Sequence, residues 1–158
     1  MYAILLTKGG LDEMPEKKII DAFVARQSQI YDLLYLYGEN CLTAKIVDEL
    51  LNSYRVRYPE AIVLRMDAES FCEETFRKIL AGEHYIIPVC DLFVLEHIDG
   101  VAGLEANEQR LYGVLDWLLE NNRQIVITGT APTAAVTNLA PRIRAQIDGG
   151  ISCSVTIT

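Results

Sequence analysis

The chain has 158 residues, of which 51% are hydrophobic and 23% are charged, and its formal net charge is −8. This composition is typical of a soluble globular protein, and the length suits one domain with a single core. The acidic excess argues against broad attraction to nucleic acid or anionic lipid. No apolar run approaches the roughly 18 residues needed to span a membrane.

The four cysteines of the chain, Cys41, Cys72, Cys90 and Cys153, are scattered and form no C-x-x-C pair. No histidine stands at ligand spacing from them, so the pattern supports neither a disulfide framework nor a zinc site. A reduced, cytoplasmic setting is therefore predicted. The opening residues 1–6 lack the basic leader of a secretory signal, and we expect either an extra strand or a packed terminus there.

Helices and strands alternate along the first half of the chain. The helices are indicated by apolar stripes and by proline and glycine at their ends, and the strands by short apolar runs. In chain order the predicted elements are a helix opened by residues 15–18, a strand at 32–37, a helix from about Thr43 to Tyr58, a strand at 61–66, and a helix from Asp67 or Ala68 to Gly82.

The second half continues the alternation. It contains a strand at 91–96, a helix from about Glu105 to Asn121, a strand at 124–128, short helical pieces between 132 and 148, and an alternating strand at 151–157. Acidic residues of the long helix, among them Glu105 and Glu108, are predicted to face solvent. Strands that are apolar throughout and alternate with helices predict one α/β domain with a parallel sheet covered on both faces.

A phosphate-binding loop is suggested where the strand at 32–37 ends. Gly38 follows that strand, and a helix is predicted six residues later, which is the setting of the G-x-x-x-x-G-K-[S/T] loop. Counted from Gly38, the second glycine, the lysine and the hydroxyl of the loop fall on Thr43, Ala44 and Lys45. Because one residue turns a helical side chain by about 100°, Lys45 does not point where a lysine at position 44 would. Lys45 is then either part of a vestigial site or a solvated lysine of the first turn.

A second nucleotide feature would be an apolar strand that ends in two acids, one for the magnesium ion and one to activate water. The strand at 92–95 instead ends in Glu96 and His97. An acid–base pair is one interpretation, since histidine titrates near neutrality. No nucleophile or paired carboxylate accompanies them, however, so a histidine that fills a vacated acid position is the favoured interpretation. Thr130 lies at the tip of the strand at 124–128.

Five segments, taken in order, resemble the nucleotide-binding domain of the DnaA family of bacterial replication initiators, which are AAA+ ATPases. They are "YDLLYLYGENCLTAKIVDELL", "AIVLRMDAESFCEETFRKIL", "CDLFVLEHIDGVAG", "LYGVLDWLLENNRQIVITGTAPTAAV" and "LAPRIRAQIDGGISCSV". The resemblance covers about residues 16–157. It implies the P-loop NTPase fold, a three-layer sandwich with a parallel five-stranded sheet in the order 5-1-4-3-2. The strand at 32–37 would then lie centrally.

The departures from the family pattern fall on its chemistry. Ala44 stands at the lysine position, Lys45 at the threonine, Glu96 and His97 at the two acids, and Thr130 at the aspartate of the first sensor. We therefore expect a vestigial nucleotide site at Gly38, Asn40, Thr43, Lys45, Glu96, His97 and Thr130, without catalytic residues or a metal site. In the arginine-finger segment Arg142 matches a family arginine but Gln146 stands at the finger position, so Arg142, Arg144 and Gln146 are candidate interface residues.

These departures predict an AAA+ scaffold without ATP binding or hydrolysis, and so without a cofactor, that acts through protein contacts in the regulation of replication initiation. The expected partner is an initiator or a replisome component. We expect no specific DNA binding, no membrane contact, and a monomer or weak self-association. The resemblance stops before the helical lid and the helix-turn-helix DNA-binding domain of the family, so neither is expected here. The alternative is an ATP switch that uses ATP and Mg²⁺ with an atypical loop, and a third reading is an unrelated enzyme on the same scaffold.

Overall fold

A parallel six-stranded sheet with the order β1-β6-β2-β5-β4-β3 forms the centre of the molecule. The computed structural model describes residues 2–6, 17–26, 32–83 and 89–157. The strands are β1 (Tyr2–Leu6), β2 (Leu33–Gly38), β3 (Val63–Asp67), β4 (Leu92–Glu96), β5 (Gln124–Gly129) and β6 (Ile151–Ile157). The helices are α1 (Lys17–Val24), α2 (Asn40–Arg57), α3 (Ala68–Leu80), α4 (Glu105–Glu120) and α5 (Pro141–Asp148).

The sheet order confirms the prediction for the five strands from β2 to β6. Strand β2 is central, with Tyr37 in register with Gly129 of β5 and Gly38 in register with Val155 of β6. Strand β1 extends the sheet by pairing in parallel with β6, which settles the open choice for the opening residues in favour of an extra strand.

Strand β2 supplies side chains to hydrophobic cores on both faces of the sheet. Leu34 and Leu36 pack with residues of α1 and α2, whereas Leu33, Tyr35 and Tyr37 pack with residues of α3, α4 and α5. Successive side chains of a strand point to opposite faces, so a strand covered on both sides must be apolar at every position. That requirement explains the unbroken apolar run that made β2 recognisable in the sequence.

Within residues 17–26, 32–83 and 89–157, every helix is too short or too polar to cross a membrane.

Helix α2 begins three residues before the predicted start at Thr43. Glu39 has extended backbone angles, with φ −62° and ψ 137°, and the helix starts at Asn40. Residues 40–43 contain neither glycine nor proline, so no residue in this segment opposes helical geometry. The predicted six-residue loop is therefore wrong, and most of that segment is helix.

The prediction that Glu108 faces solvent is also wrong. Only 7% of Glu108 is exposed, and its carboxylate accepts hydrogen bonds from the backbone amides of Gly103, at 3.0 Å, and Ala140, at 2.7 Å. Buried carboxylates require such partners. Glu108 therefore links α4 to the turn before it and to the residue that precedes α5. Glu105, three residues earlier, is exposed as predicted.

Candidate functional site

The predicted nucleotide-site residues lie at the carboxyl edge of the sheet. Gly38 ends β2, Glu96 ends β4, His97 follows β4, and Thr130 directly follows β5. In open α/β sheets ligands bind outside the carboxyl ends of the strands. The fold thus gathers residues that are far apart in the sequence at the edge where open α/β sheets bind their ligands.

The segment that would be a phosphate loop forms the first turn of α2. The amides of Leu42 and Thr43 both donate to the Glu39 carbonyl oxygen, at 2.9 and 3.0 Å, and the Thr43 hydroxyl donates to the Asn40 carbonyl oxygen, at 3.2 Å. A phosphate loop directs successive backbone amides at the anion. Here the amides of Leu42 and Thr43 are used within the helix, and the Thr43 side chain is buried.

Two other predicted site residues at this helix face solvent. Asn40, the first residue of α2, is exposed, and so is Lys45, the sixth residue of the helix. Lys45 therefore lies in the second turn, one turn further along than the sequence indicated. The exposed position agrees with a solvated lysine.

Gly38 is required by the sheet itself. Its φ is +153°, and a Cβ built on it would lie 2.5 Å from the carbonyl oxygen of Val155 in β6. Real Cβ atoms do not approach backbone that closely, and residues with a side chain avoid this conformation. The presence of glycine at position 38 is therefore explained by strand packing alone.

Glu96 is paired with an arginine that the sequence analysis did not single out. Arg65 of β3 donates to both carboxylate oxygens of Glu96, from Nε at 2.6 Å and from Nη2 at 3.2 Å, and its Nη1 donates to Oδ1 of Asp48 in α2 at 2.7 Å. The hydrogen bond to Glu96 is the largest cause that raises the pKa of Arg65 above its usual range. The one signal in the sequence was a charged residue inside the otherwise apolar run 61–66.

His97 has a left-handed backbone conformation, with φ 64° and ψ 55°. Its amide donates to the hydroxyl of Thr128 at 3.1 Å, which joins the ends of β4 and β5. Its Nδ1 is buried and has no hydrogen-bond partner among the described residues. Glu96 directs its carboxylate at Arg65 rather than at His97, so the structure does not support the acid–base pair.

The tip of β5 is held by local hydrogen bonds. The amide and the hydroxyl of Thr130 both donate to Oδ2 of Asp99, at 3.2 and 3.1 Å. The hydroxyl of the fully buried Tyr35 donates to the carbonyl oxygen of Ala131 at 2.5 Å, and burial raises the pKa of Tyr35. Thr130 therefore serves as a partner of Asp99 in this structure.

The three candidate interface residues lie on α5 and differ in exposure. Arg142 is exposed and lies over the ring of Tyr112 in α4, with 4.6 Å from Cζ to the ring centroid. Gln146 is half-buried and donates to the carbonyl oxygen of Tyr112 at 3.2 Å. Arg144 is half-buried, and its Nε has no partner among the described residues. Gln146 thus packs against α4, and Arg142 and Arg144 are the two basic residues of α5.

Comparison with known proteins identifies relatives for almost the whole chain. The family model of the bacterial DnaA ATPase domain matches residues 17–154. The chromosomal replication initiator protein DnaA of Symbiobacterium thermophilum is 25% identical over 133 residues, which are 81% of this chain and 29% of that protein. The chain spans less than a third of the length of the curated relatives it matches.

Solved structures share the fold at low sequence identity. Domain III of DnaA from Thermotoga maritima has a TM-score of 0.79 and 16% identity, covering 91% of this chain and 64% of that one. The DnaC helicase loader has a TM-score of 0.70 and 10% identity, covering 87% and 86%. In both cases the shared fold extends over most of this chain. The fold and the match over residues 17–154 show that the chain belongs to the bacterial DnaA ATPase-domain family.

Proposed function

We propose that this domain is a DnaA-like AAA+ scaffold that neither binds nor hydrolyses ATP and that acts through protein contacts in the regulation of DNA replication initiation. The proposal assigns it no cofactor, no catalytic residue and no sequence-specific DNA binding of its own. The family relationship supports the process, because the relatives are named as replication initiators and a helicase loader shares the fold.

The observation that carries the proposal is the start of α2 at Asn40. A phosphate loop holds its anion through amides that are free of intrachain partners, and glycines allow them to converge. The amides of Leu42 and Thr43 instead donate to the carbonyl oxygen of Glu39, and residues 39–45 contain no glycine. To recreate the loop, the first turn of α2 would have to unwind and release the buried side chain of Thr43.

The acid and the sensor positions support the same proposal. Glu96 pairs with Arg65, and Thr130 donates to Asp99, so both are already hydrogen-bonded within the protein. A magnesium nucleotide would need the Glu96 carboxylate free of Arg65. Three independent parts of the edge, on α2, β4 and β5, therefore have internal partners in place of a nucleotide.

The proposal predicts that Mg-ATP leaves the melting temperature unchanged. A ligand at about a hundred times its dissociation constant stabilises a protein by roughly 2.7 kcal/mol, which is a shift on the order of 5–10 °C at this size. Thermal unfolding in millimolar Mg-ATP, Mg-ADP and Mg²⁺ alone should give coincident curves. The Ala44→Lys, Lys45→Thr double variant should behave likewise, because residues 40–43 remain helical. An upward shift of several degrees that requires the nucleotide would instead establish the ATP-switch alternative.

The surface proposed for protein contacts centres on Arg142 and Arg144. They are the only two basic residues of α5, on a chain whose net charge is −8, and Arg142 lies over the Tyr112 ring. Opposite charges across an interface guide association and specificity more than they add affinity. The partner that fits is an acidic surface on an initiator or a replisome protein, and self-association is expected to be weak.

Reversal of both charges, in the Arg142→Glu, Arg144→Glu variant, should weaken partner capture by about 3- to 10-fold, the effect of losing one or two exposed ion pairs. Surface plasmon resonance against full-length DnaA initiator of the same organism measures the loss. The Arg55→Glu, Arg57→Glu variant is the control, because it changes the net charge equally at the exposed end of α2 and should bind normally. Equal binding of both variants and the wild type, with unaltered melting, would show that α5 is not the interface.

A further inference from the structure

Three charged side chains from three elements meet at the carboxyl edge of the sheet. Arg65 comes from β3, Glu96 from the end of β4, and Asp48 from α2, and every carboxylate–guanidinium contact among them is 2.6–3.2 Å long. The Glu96 side chain is only 12% exposed and the Arg65 side chain 33%. The Arg65–Glu96 pair is therefore partly shielded from water, unlike a typical surface ion pair, whereas the Asp48 side chain is 60% exposed.

The register of the sheet explains how Arg65 reaches Glu96. Arg65 pairs with Val94, and Glu96 pairs with Asp67. Arg65 and Glu96 are thus diagonal neighbours on one face of adjacent strands, within reach of long side chains. The planar guanidinium can bind a carboxylate with two parallel donors and still present a third donor elsewhere. Nη1 uses that capacity to reach Asp48 on the helix that covers this face.

The fold family implies a divalent cation at the acid that ends β4, and the residues here do not fit one. Hard cations such as Mg²⁺ are bound by carboxylate oxygens. The two carboxylates that could serve, Glu96 and Asp48, both have an oxygen bound to Arg65. Asp67, in register with Glu96, accepts from the amide of Ser70 and caps α3, and this hydrogen bond lowers the pKa of Asp67.

We propose that the Arg65 guanidinium is a tethered cation that takes the place of the divalent ion, so that Glu96 and Asp48 bind a divalent cation only when Arg65 is removed. The proposal rests on the proposed function insofar as both treat this edge as independent of Mg-nucleotide. A cation carried by the chain is present at every metal concentration and cannot be lost to a chelator. It joins β3, β4 and α2 permanently, whereas a bound ion would join them only when metal is present.

The decisive experiment compares Mn²⁺ binding by the wild type, by Arg65→Ala, and by the Arg65→Ala, Glu96→Gln double variant, all without nucleotide. The electron paramagnetic resonance signal of free Mn²⁺ decreases as the ion binds, so the loss of signal measures the bound ion. We expect no binding to the wild type, one site of about millimolar affinity in Arg65→Ala, since only two carboxylates bind the ion, and loss of that site in the double variant. The single variant should also melt several degrees below the wild type, because two carboxylates then face each other without a counter-ion.

A second readout uses melting temperatures in 10 mM Mg²⁺ against NaCl of equal ionic strength. Arg65→Ala should regain about 2–6 °C, the effect of a ligand near ten times its dissociation constant, and the wild type should gain nothing. Absence of Mn²⁺ binding and of thermal rescue in Arg65→Ala would overturn the proposal. If Arg65→Ala does not fold, the wild type, Glu96→Gln and Arg65→Gln replace it. Binding of Mn²⁺ to the wild type that Glu96→Gln abolishes would refute the tethered cation. A wild type that binds no Mn²⁺, together with a folded Arg65→Gln variant that does bind it, would support the proposal.

The two proposals fail in different ways. A wild type that binds Mg-ATP would overturn the proposed function, yet the nucleotide-free Mn²⁺ titration of Arg65→Ala would still decide the role of Arg65. Conversely, an Arg65→Ala variant with no cation site would leave the helical start of α2 and the predicted absence of ATP binding untouched.

Discussion

Replacement of Gly38 by alanine should lower the free energy of unfolding by about 3 kcal/mol, although Gly38 belongs to no working phosphate loop in our proposal. The new Cβ would lie 2.5 Å from the Val155 carbonyl oxygen, and the φ of +153° is one that residues with a side chain rarely adopt. The clashing atom belongs to the backbone of β6, which pairs with β2 on one side and with β1 on the other. Neither β2 nor β6 can move away from the clash without breaking hydrogen bonds of the sheet.

Gly149→Ala is the matched control for Gly38→Ala. Gly149 has φ −70°, and its Cβ would come no closer than 3.4 Å to another atom, so alanine should change the stability by less than about 1 kcal/mol. Urea unfolding of the two variants and the wild type gives the comparison. If Gly38→Ala were as stable as Gly149→Ala, strand packing would not explain the glycine, and a role for position 38 in ligand binding would have to be considered again.

Replacement of Glu108 by alanine should lower the free energy of unfolding by about 2–3 kcal/mol, because two backbone amides lose the side-chain acceptor that satisfies them. The carboxylate accepts from Gly103 and Ala140 at 3.0 and 2.7 Å. Ala140 directly precedes α5, so the loss should also loosen the helix that carries Arg142. We therefore expect Glu108→Ala to weaken partner capture in the same assay as the arginine reversals.

Glu105→Ala is the control for Glu108→Ala, since the two glutamates lie in the first turn of the same helix and Glu105 is exposed. Its removal should change the stability by less than about 0.5 kcal/mol. Chemical denaturation, followed by the fluorescence of Trp117 in α4, would measure both variants. Equal stability of the two variants would contradict the anchoring role of Glu108.

The amino-acid sequence determined the architecture of this protein. The apolar runs at 32–37, 91–96 and 124–128 became the central strands β2, β4 and β5, because strands buried on both faces must be apolar throughout. The resemblance to the DnaA family supplied the sheet order, which spacing and composition alone do not reveal. The position of the candidate site followed, since parallel strands bring their carboxyl ends to one edge.

Only the tertiary structure decided how that edge is filled. The start of α2 at Asn40 depends on a competition between loop and helix that is decided by three residues, and local sequence preference is too weak to settle it. The pairing of Arg65 with Glu96 joins residues 31 positions apart through the register of β3 against β4. The burial of Glu108 likewise depends on Ala140, 32 positions away. Charged residues look alike in a sequence, whether solvated or buried, because the partner that permits burial is brought near only by the fold.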